Sequence, residues 1–136
     1  MSIVVDASVA VKWVTNEPGT DAALALLDKH LIAPAIWLAE AANALWRHVR
    51  LGEATAAEAL TRLLELIEAP VVTSSIEPYV PRALQLAVEL RHPVYDCIYL
   101  AVAEHHDTHV VTDDRRFARA VAANAALATR VQLLSN

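Results

Sequence analysis

Five carboxylates stand where carboxylates do chemistry. Asp6 directly follows the apolar run Ile3-Val4-Val5, and Glu40 sits early in an amphipathic stretch. Asp96 falls in the first turn of a second such stretch, and Asp113 and Asp114 follow the β-branched run His109 to Thr112. Any one of these acids alone reads as a helix cap, because unpaired N–H groups at a helix start favour an acid. Several acids at the carboxyl ends of buried strands read differently, since ligands of open parallel sheets bind along that edge. Two carboxylates about 4 Å apart repel by roughly 4 kcal/mol at a protein-surface dielectric. A cluster of them is kept only by protonation or by a cation. Hard oxygen ligands suit Mg²⁺ or Mn²⁺, and such ions activate water and neutralise charge at phosphorus. The expectation is a divalent-metal site.

Within the acid pair, strand geometry makes a choice. Side chains alternate faces along a strand, so Thr112 and Asp114 share a parity and project together toward Asp6. Asp113 then points away, toward solvent or the following helix. The basic residues group near the acids: Lys12 follows Asp6, Arg47 lies along the Glu40 stretch, and Arg115 and Arg116 follow Asp114. Those four are candidate phosphate contacts. Arg50 reads as a solvated partner of nearby acids.

Other chemistries fail on their residues. His105 and His109, four apart with His106 between them, lack the third and fourth ligands of a zinc site, and histidines in a helix's last turn are ordinary because they complement the dipole. Cys97 is expected to be packed rather than reactive. Trp13, Trp37 and Trp46 read as core or interface. There are only two glycines, Gly19 and Gly52. That excludes a Walker A loop, a dinucleotide fingerprint and a nucleophile elbow.

The positioning elements follow from periodicity. Ile3 to Val5 reads as a buried parallel strand, and Ala7 to Val14 as a helix beginning near Ser8. Thr20 or Asp21 is expected to cap a helix facing Leu24, Leu27 and Leu31 inward, with Leu31 to Ala33 a short strand before Pro34. From Trp37 to Leu51, the residues Leu38, Ala41, Ala42, Leu45 and Val49 form a core-facing stripe, and Gly52 stops the helix. Glu40, Asn43 and Arg47 share another face of it. Thr55 to Glu58 is a capping box opening a helix expected to bury Leu60, Leu63, Leu64 and Ile67. Val71 to Thr73 is a third strand. Ser74 to Glu77 reads as a second capping box, opening a helix expected to bury Val80, Leu84, Ala87 and Leu90. After Pro93 comes the helix carrying Asp96, then the strand His109 to Thr112, a helix from Phe117 to about Ala123, and a last strand near Arg130 to Leu133. Alternating strands and helices predict an α/β domain with a parallel sheet of four or five strands.

Composition bounds the function. At 136 residues the chain is expected to form one domain burying about two-thirds of its unfolded surface. A hydrophobic content of 56% excludes disorder, yet no apolar run is long enough for a membrane span. Asp6 comes too early for a signal peptide. With Cys97 the single cysteine, a reducing cytoplasm is the expected setting. A net charge of −5 argues against a simple electrostatic nucleic-acid binder. It does not argue against an enzyme that meets a polyanion through bound cations.

Four motifs then converge. Val4-Val5-Asp6-Ala7-Ser8, Glu40-x-x-Asn43 after Pro34, Val94-Tyr95-Asp96-x-x-Tyr99-Leu100-Ala101 and Val111-Thr112-x-Asp114-x-x-Phe117 occur in order along nearly the whole chain. In this the sequence resembles the PIN-domain ribonucleases, specifically the small VapC-type toxins of bacterial toxin–antitoxin pairs. The resemblance implies a PIN-like three-layer fold with a sheet ordered 3-2-1-4-5 and Mg²⁺- or Mn²⁺-dependent endoribonuclease activity. It also implies a homodimer and inhibition by a VapB-type antitoxin, in a heterotetramer or larger assembly. By position, it makes Asp6, Glu40, Asp96 and Asp114 the metal site. Ser8, Asn43 and Thr112 would orient ligands or water from behind, and Asp113 is an extra acid at a variable position. Two alternatives belong to other classes. A phosphoacceptor receiver domain would need an acceptor Asp after the third strand, where Thr73-Ser74-Ser75 stands. A catalytically silent PIN-fold binding module would not need four intact acids.

Overall fold

The computed structural model describes residues 2–135. Strand β1 (Ser2–Val5) leads through Asp6 into the short helix α1 (Ala7–Ala10) and a 3₁₀ turn, Val11–Trp13. After α2 (Thr20–Leu24) come β2 (His30–Pro34) and the long helix α3 (Trp37–Arg50). Then follow α4 (Ala56–Ile67), β3 (Val71–Ser74), α5 (Val80–Leu90) and α6 (Val94–His105). The chain closes with β4 (Val110–Thr112), α7 (Arg115–Ala122) and β5 (Val131–Leu133).

The five strands form one parallel sheet in the order β3-β2-β1-β4-β5, flanked by helices. This is the order that the resemblance implied. The chain leaves β1 in one direction toward β2 and returns to its other side as β4, so the strand order reverses between β1 and β4. Crevices open at such switch points, beyond the carboxyl ends of the strands. Asp6 and the 113–114 turn lie there because each directly follows one of those two strands.

Helix α6 is the central element. Every residue from Cys97 to Ala103 is buried, and the helix packs against β1, β2, β4 and α5. A helix apolar all round has to be enclosed in this way. Its start is set by the turn before it. Arg91 takes a left-handed conformation (φ 54°) and the His92 N–H donates to the Ala87 carbonyl, 3.1 Å away, before Pro93 and Val94 begin the new helix. The Thr55 capping box forms as expected: its hydroxyl accepts the Glu58 N–H at 3.1 Å, and Glu58 accepts the Thr55 N–H at 2.9 Å.

Several expectations are corrected. The helix capped near Thr20 does not reach Leu31. It ends at Leu24, which is exposed, and a single 3₁₀ turn (Ala25–Asp28) follows. Sheet pairing claims the rest, because Leu31 lies opposite Ile3 of β1. Ser74 does not cap a helix. It pairs with Pro34 at the end of β3, and α5 starts only at Val80 after a 3₁₀ turn over Glu77–Tyr79. Helix α4 buries Leu66 and half-buries Ala59 and Leu63, leaving Leu60, Leu64 and Ile67 exposed. Its main neighbour is α3, which covers only a narrow stripe. Helix α5 carries apolar residues on two faces, and packing against α6 selects Ala83 and Leu86. Val80 and Leu84 face outward. Helix α7 begins at Arg115 rather than Phe117 because Asp114 caps it. Trp37 is buried, whereas Trp46 is exposed with the Arg50 guanidinium 5.2 Å from its ring centre.

The face of α5 can be checked by truncation. Leu86→Ala should cost about 2–5 kcal/mol in urea unfolding, and Leu84→Ala about 0.5 kcal/mol or less. The reverse order would mean that α5 is rotated.

Candidate metal centre

The site is built outward from Asp6. Its N–H donates to the Val111 carbonyl at 3.0 Å, which fixes the ends of β1 and β4 side by side. The side chain is 5% exposed, and its Oδ2 accepts the hydroxyls of Ser8 and Thr112, each at 2.7 Å. Those same hydroxyl oxygens accept the N–H groups of Asp113 and Asp114, both at 3.0 Å. Ser8 and Thr112 therefore face both ways, steadying the carboxylate and shaping the turn that carries the next acid.

Each remaining acid is held by a different device. Glu40, in the first turn of α3, accepts at Oε1 the hydroxyl of buried Tyr99, 2.6 Å away. Asp96, in the first turn of α6, accepts at Oδ2 the Nε2–H of His92 at 2.6 Å. Asp114 caps α7, its Oδ1 accepting the N–H groups of Arg116 (2.9 Å) and Phe117 (3.1 Å). Each of the four acids thus has one oxygen engaged. The other oxygen of each has no side-chain donor among the described residues.

A cleft of about 470 Å³ opens over these groups, lined by all four acids together with Ser8, Asn43, Arg47 and Tyr95. Crowding and burial perturb its charges. Burial raises the Asp6 pKa to about 6, with Asp96 adding repulsion, although Thr112 and Ser8 pull the other way. Glu40 rises to about 7, again mainly through burial and then through Asp6 and Asp96, against the Tyr99 hydrogen bond. Burial, followed by the Asp6 and Glu40 carboxylates, pushes Tyr99 far up, so it remains a protonated donor. Cys97 is raised to about 11 by burial and by Asp96, which keeps it an inert thiol.

The structure brings together most of the residues singled out in the sequence. Asp6, Ser8, Glu40, Asn43, Arg47, Asp96 and Asp114 line the cleft, and Thr112 supports Asp6 from beneath. Asp113 turns away to pair with Lys12 at 3.2 Å. Lys12 is the correction. It is 5% exposed, and its ammonium also donates to Glu17 (2.9 Å) and the Pro18 carbonyl (2.6 Å). Burial alone would depress its pKa, but Glu17 and Asp113 outweigh that and raise it. Lys12 is a buried strut and has no free face for a phosphate. Arg115 and Arg116 are exposed at the start of α7 and do not line the cleft. His105 and His106 are exposed at the far end of α6. Two residues were missed. His92 gave a faint signal, four residues before Asp96 across a proline. Tyr99 lay within a quoted motif, but nothing local showed that it would reach Glu40, 59 positions away.

A family model described as the PIN domain matches residues 3–123. The chain belongs to the PIN-domain family. It is 35% identical over 125 residues to Ribonuclease VapC3 of Pyrobaculum aerophilum, covering 87% of this chain and 93% of that one. A solved structure from the same organism superposes with a TM-score of 0.70 at 28% identity, over 88% of this chain and 79% of the other. VapC20 of Mycobacterium tuberculosis, described as a sarcin–ricin loop cleaving toxin, gives 0.67 at 16% identity, over 87% and 94%. Rickettsia felis VapBC2, solved with promoter DNA, gives 0.67 at 14% identity, over 99% and 100%. The last two likenesses concern the fold alone.

The donor set of this PIN domain fits a hard divalent cation. All four carboxylates line one cleft, and His92, Asp96 and Asp114 place ligand atoms within 4.8 Å of one another. Oxygen-rich, incompletely enclosed sites of this kind suit ions that keep several waters.

The raised carboxylates make stability depend on pH. The unfolded values are 3.8 for Asp6 and 4.5 for Glu40, below the folded values of about 6 and about 7. The folded PIN domain therefore binds these protons more tightly than the unfolded chain. That contribution is fully present below about pH 4 and is lost as pH rises through 6 to 7. With EDTA present, Glu40→Gln should be more stable than wild type at about pH 8, by on the order of 2–3 kcal/mol, and gain nothing at about pH 4. Urea unfolding at both values checks this, and a pH-independent difference would remove the raised pKa of Glu40.

Proposed function

We propose that this PIN domain is a divalent-metal-dependent endoribonuclease and the toxin of a VapBC-type pair. The observation that carries the reading is that Asp6, Glu40, Asp96 and Asp114 line one cleft, each with one oxygen held by a neighbouring donor. Its relationship to Ribonuclease VapC3 supports the substrate class. When bound, Mg²⁺ or Mn²⁺ would activate water and neutralise charge at the phosphorus undergoing in-line displacement.

The chain's own residues do the rest. Ser8 and Thr112 keep Asp6 in place through its second oxygen, and Tyr99 does the same for Glu40. Glu40 is raised to about 7 by burial in the metal-free site; with a cation bound its ionised form would be favoured, which suits it to accept a hydrogen bond from the attacking water. Asn43 and Arg47, one and two turns further along α3, line the cleft where a phosphate or ribose would lie. Arg115 and Arg116 offer exposed charge beyond its rim. The products would be a 5′-phosphate and a 3′-hydroxyl, with water rather than the ribose 2′-hydroxyl attacking phosphorus and the 3′-oxygen leaving.

We propose that the cleft admits RNA and that a VapB-type antitoxin enters it and sets a basic side chain, Arg by preference, against the acids. A homodimer, extended to a heterotetramer or larger with antitoxin, completes the proposed assembly. Among the described residues no helix is long and apolar enough to cross a membrane. The setting we assign is cytoplasmic, where buried Cys97 has no disulfide partner to find.

Purified protein should cut single-stranded or looped RNA with Mg²⁺ or Mn²⁺ and stop in EDTA. Asp114→Ala should lose nearly all cleavage. Asp113→Ala should keep most of it, with a modest loss of stability because Lys12 keeps Glu17 and the Pro18 carbonyl. Full activity in EDTA, or 2′,3′-cyclic phosphate ends, would defeat the mechanism. Greater damage from Asp113→Ala at equal folded fraction would reverse the assignment of the two acids.

A further inference from the structure

We propose that His92 is a positioning residue for the cation site, its imidazole holding one oxygen of Asp96 so that the other meets the ion. The inference rests on the metal-centre reading above and adds to it a residue outside the four acids.

The argument begins with how His92 is delivered. It sits in the three-residue turn between α5 and α6, after the left-handed Arg91, with its N–H anchored on the Ala87 carbonyl. An ordinary turn position of this type is solvated. His92 instead is 8% exposed. Its ring stacks on Phe117, with centroids 5.1 Å apart and planes 28° from parallel. A stack of this kind restrains the ring's tilt and rotation. Nε2 is thereby fixed 2.6 Å from Asp96 Oδ2, and because an ionised carboxylate only accepts, the proton belongs on Nε2.

Phe117 connects this contact to a second acid. Its backbone N–H donates to Asp114 Oδ1 at 3.1 Å as part of the α7 cap. The turn that ends α5 and the cap that opens α7 are thus joined by one stacked pair, and each end of the pair holds one carboxylate. Asp96 and Asp114 come from different elements, yet their ligand atoms lie within 4.8 Å of each other and of the imidazole. A positioning role explains the arrangement without a nitrogen ligand. Nε2 already faces a carboxylate oxygen, and it would have to give up that bond to bind an ion. Groups that orient a ligating carboxylate from behind typically change metal affinity by about ten- to a hundredfold when removed.

The test measures Mn²⁺ binding to the full chain by calorimetry at fixed pH, in wild type, His92→Phe and His92→Gln. Phe keeps the ring and the stack but removes the donor, whereas Gln returns an N–H donor without the ring. The expected result is weakening by roughly ten- to a hundredfold in His92→Phe, with part of the loss recovered in His92→Gln. Pulsed electron paramagnetic resonance of wild-type protein loaded with Mn²⁺ should show no directly bound nitrogen. That measurement stands even if His92→Phe fails to fold. Equal affinity in all three proteins, or a Gln variant no tighter than Phe, would overturn the proposal. A directly coordinated nitrogen in wild type would overturn it in favour of a ligand. Failure of the wild type itself to bind Mn²⁺ would instead remove the underlying metal-centre reading.

Discussion

Burying carboxylates beside one another at one sheet edge is the constraint that the surrounding structure answers, with burial weighing more than repulsion on Asp6 and Glu40. Folding alone would not assemble such a cluster, since each added charge makes the next more costly to bury. The protein answers it with donors drawn from separate elements: hydroxyls for Asp6, a phenol for Glu40, an imidazole for Asp96 and two backbone N–H groups for Asp114. These offset only part of the burden. Asp6 and Glu40 keep raised pKa values, which means that part of the charge is still uncompensated. A cation would supply the remainder, and the same uncompensated charge is what would hold it.

The fold supplies the geometry. Parallel pairing of β1 with β4 brings Asp6 beside the 112–114 segment, about a hundred residues later in sequence. Enclosure of α6 sets the depth of Tyr99 and, through the helix start, the height of Asp96. The buried Lys12 fastens Asp113 and the 17–18 loop together behind the site. Truncating it would leave two carboxylates facing each other. Its place beside Asp6 in sequence is therefore structural, although its charge and proximity resemble those of a substrate contact.

Much of the site was legible because its signals are local. An acid after a β-branched run, or in the first turn of an amphipathic helix, can be read from a few residues, and strand parity separated Asp114 from Asp113. The parallel sheet followed from alternation of elements, while its strand order came only from the resemblance. What the sequence concealed depends on distant packing. His92 and Tyr99 act across elements, so spacing gives only a faint sign of the first and none of the second. The exposed faces of α4 and α5 were misread because both helices carry apolar residues on more than one side. Only the neighbour that covers a helix decides which side is core, and for α5 that neighbour is α6. Lys12 was misread for the same reason, since a charge near a candidate site acid looks alike whether it faces solvent or is sealed.

The most direct test of the central claim counts protons. If a cation displaces the protons that crowding and burial hold on Asp6 and Glu40, calorimetric titration with Mg²⁺ or Mn²⁺ in buffers of different ionisation enthalpy will register their release. With pKa values of about 6 and about 7, Asp6 is roughly one-quarter and Glu40 roughly three-quarters protonated at about pH 6.5. Cation binding should therefore release about one proton there and close to none at about pH 8.5. Binding that releases no proton at about pH 6.5, or no binding at either pH, would contradict the account.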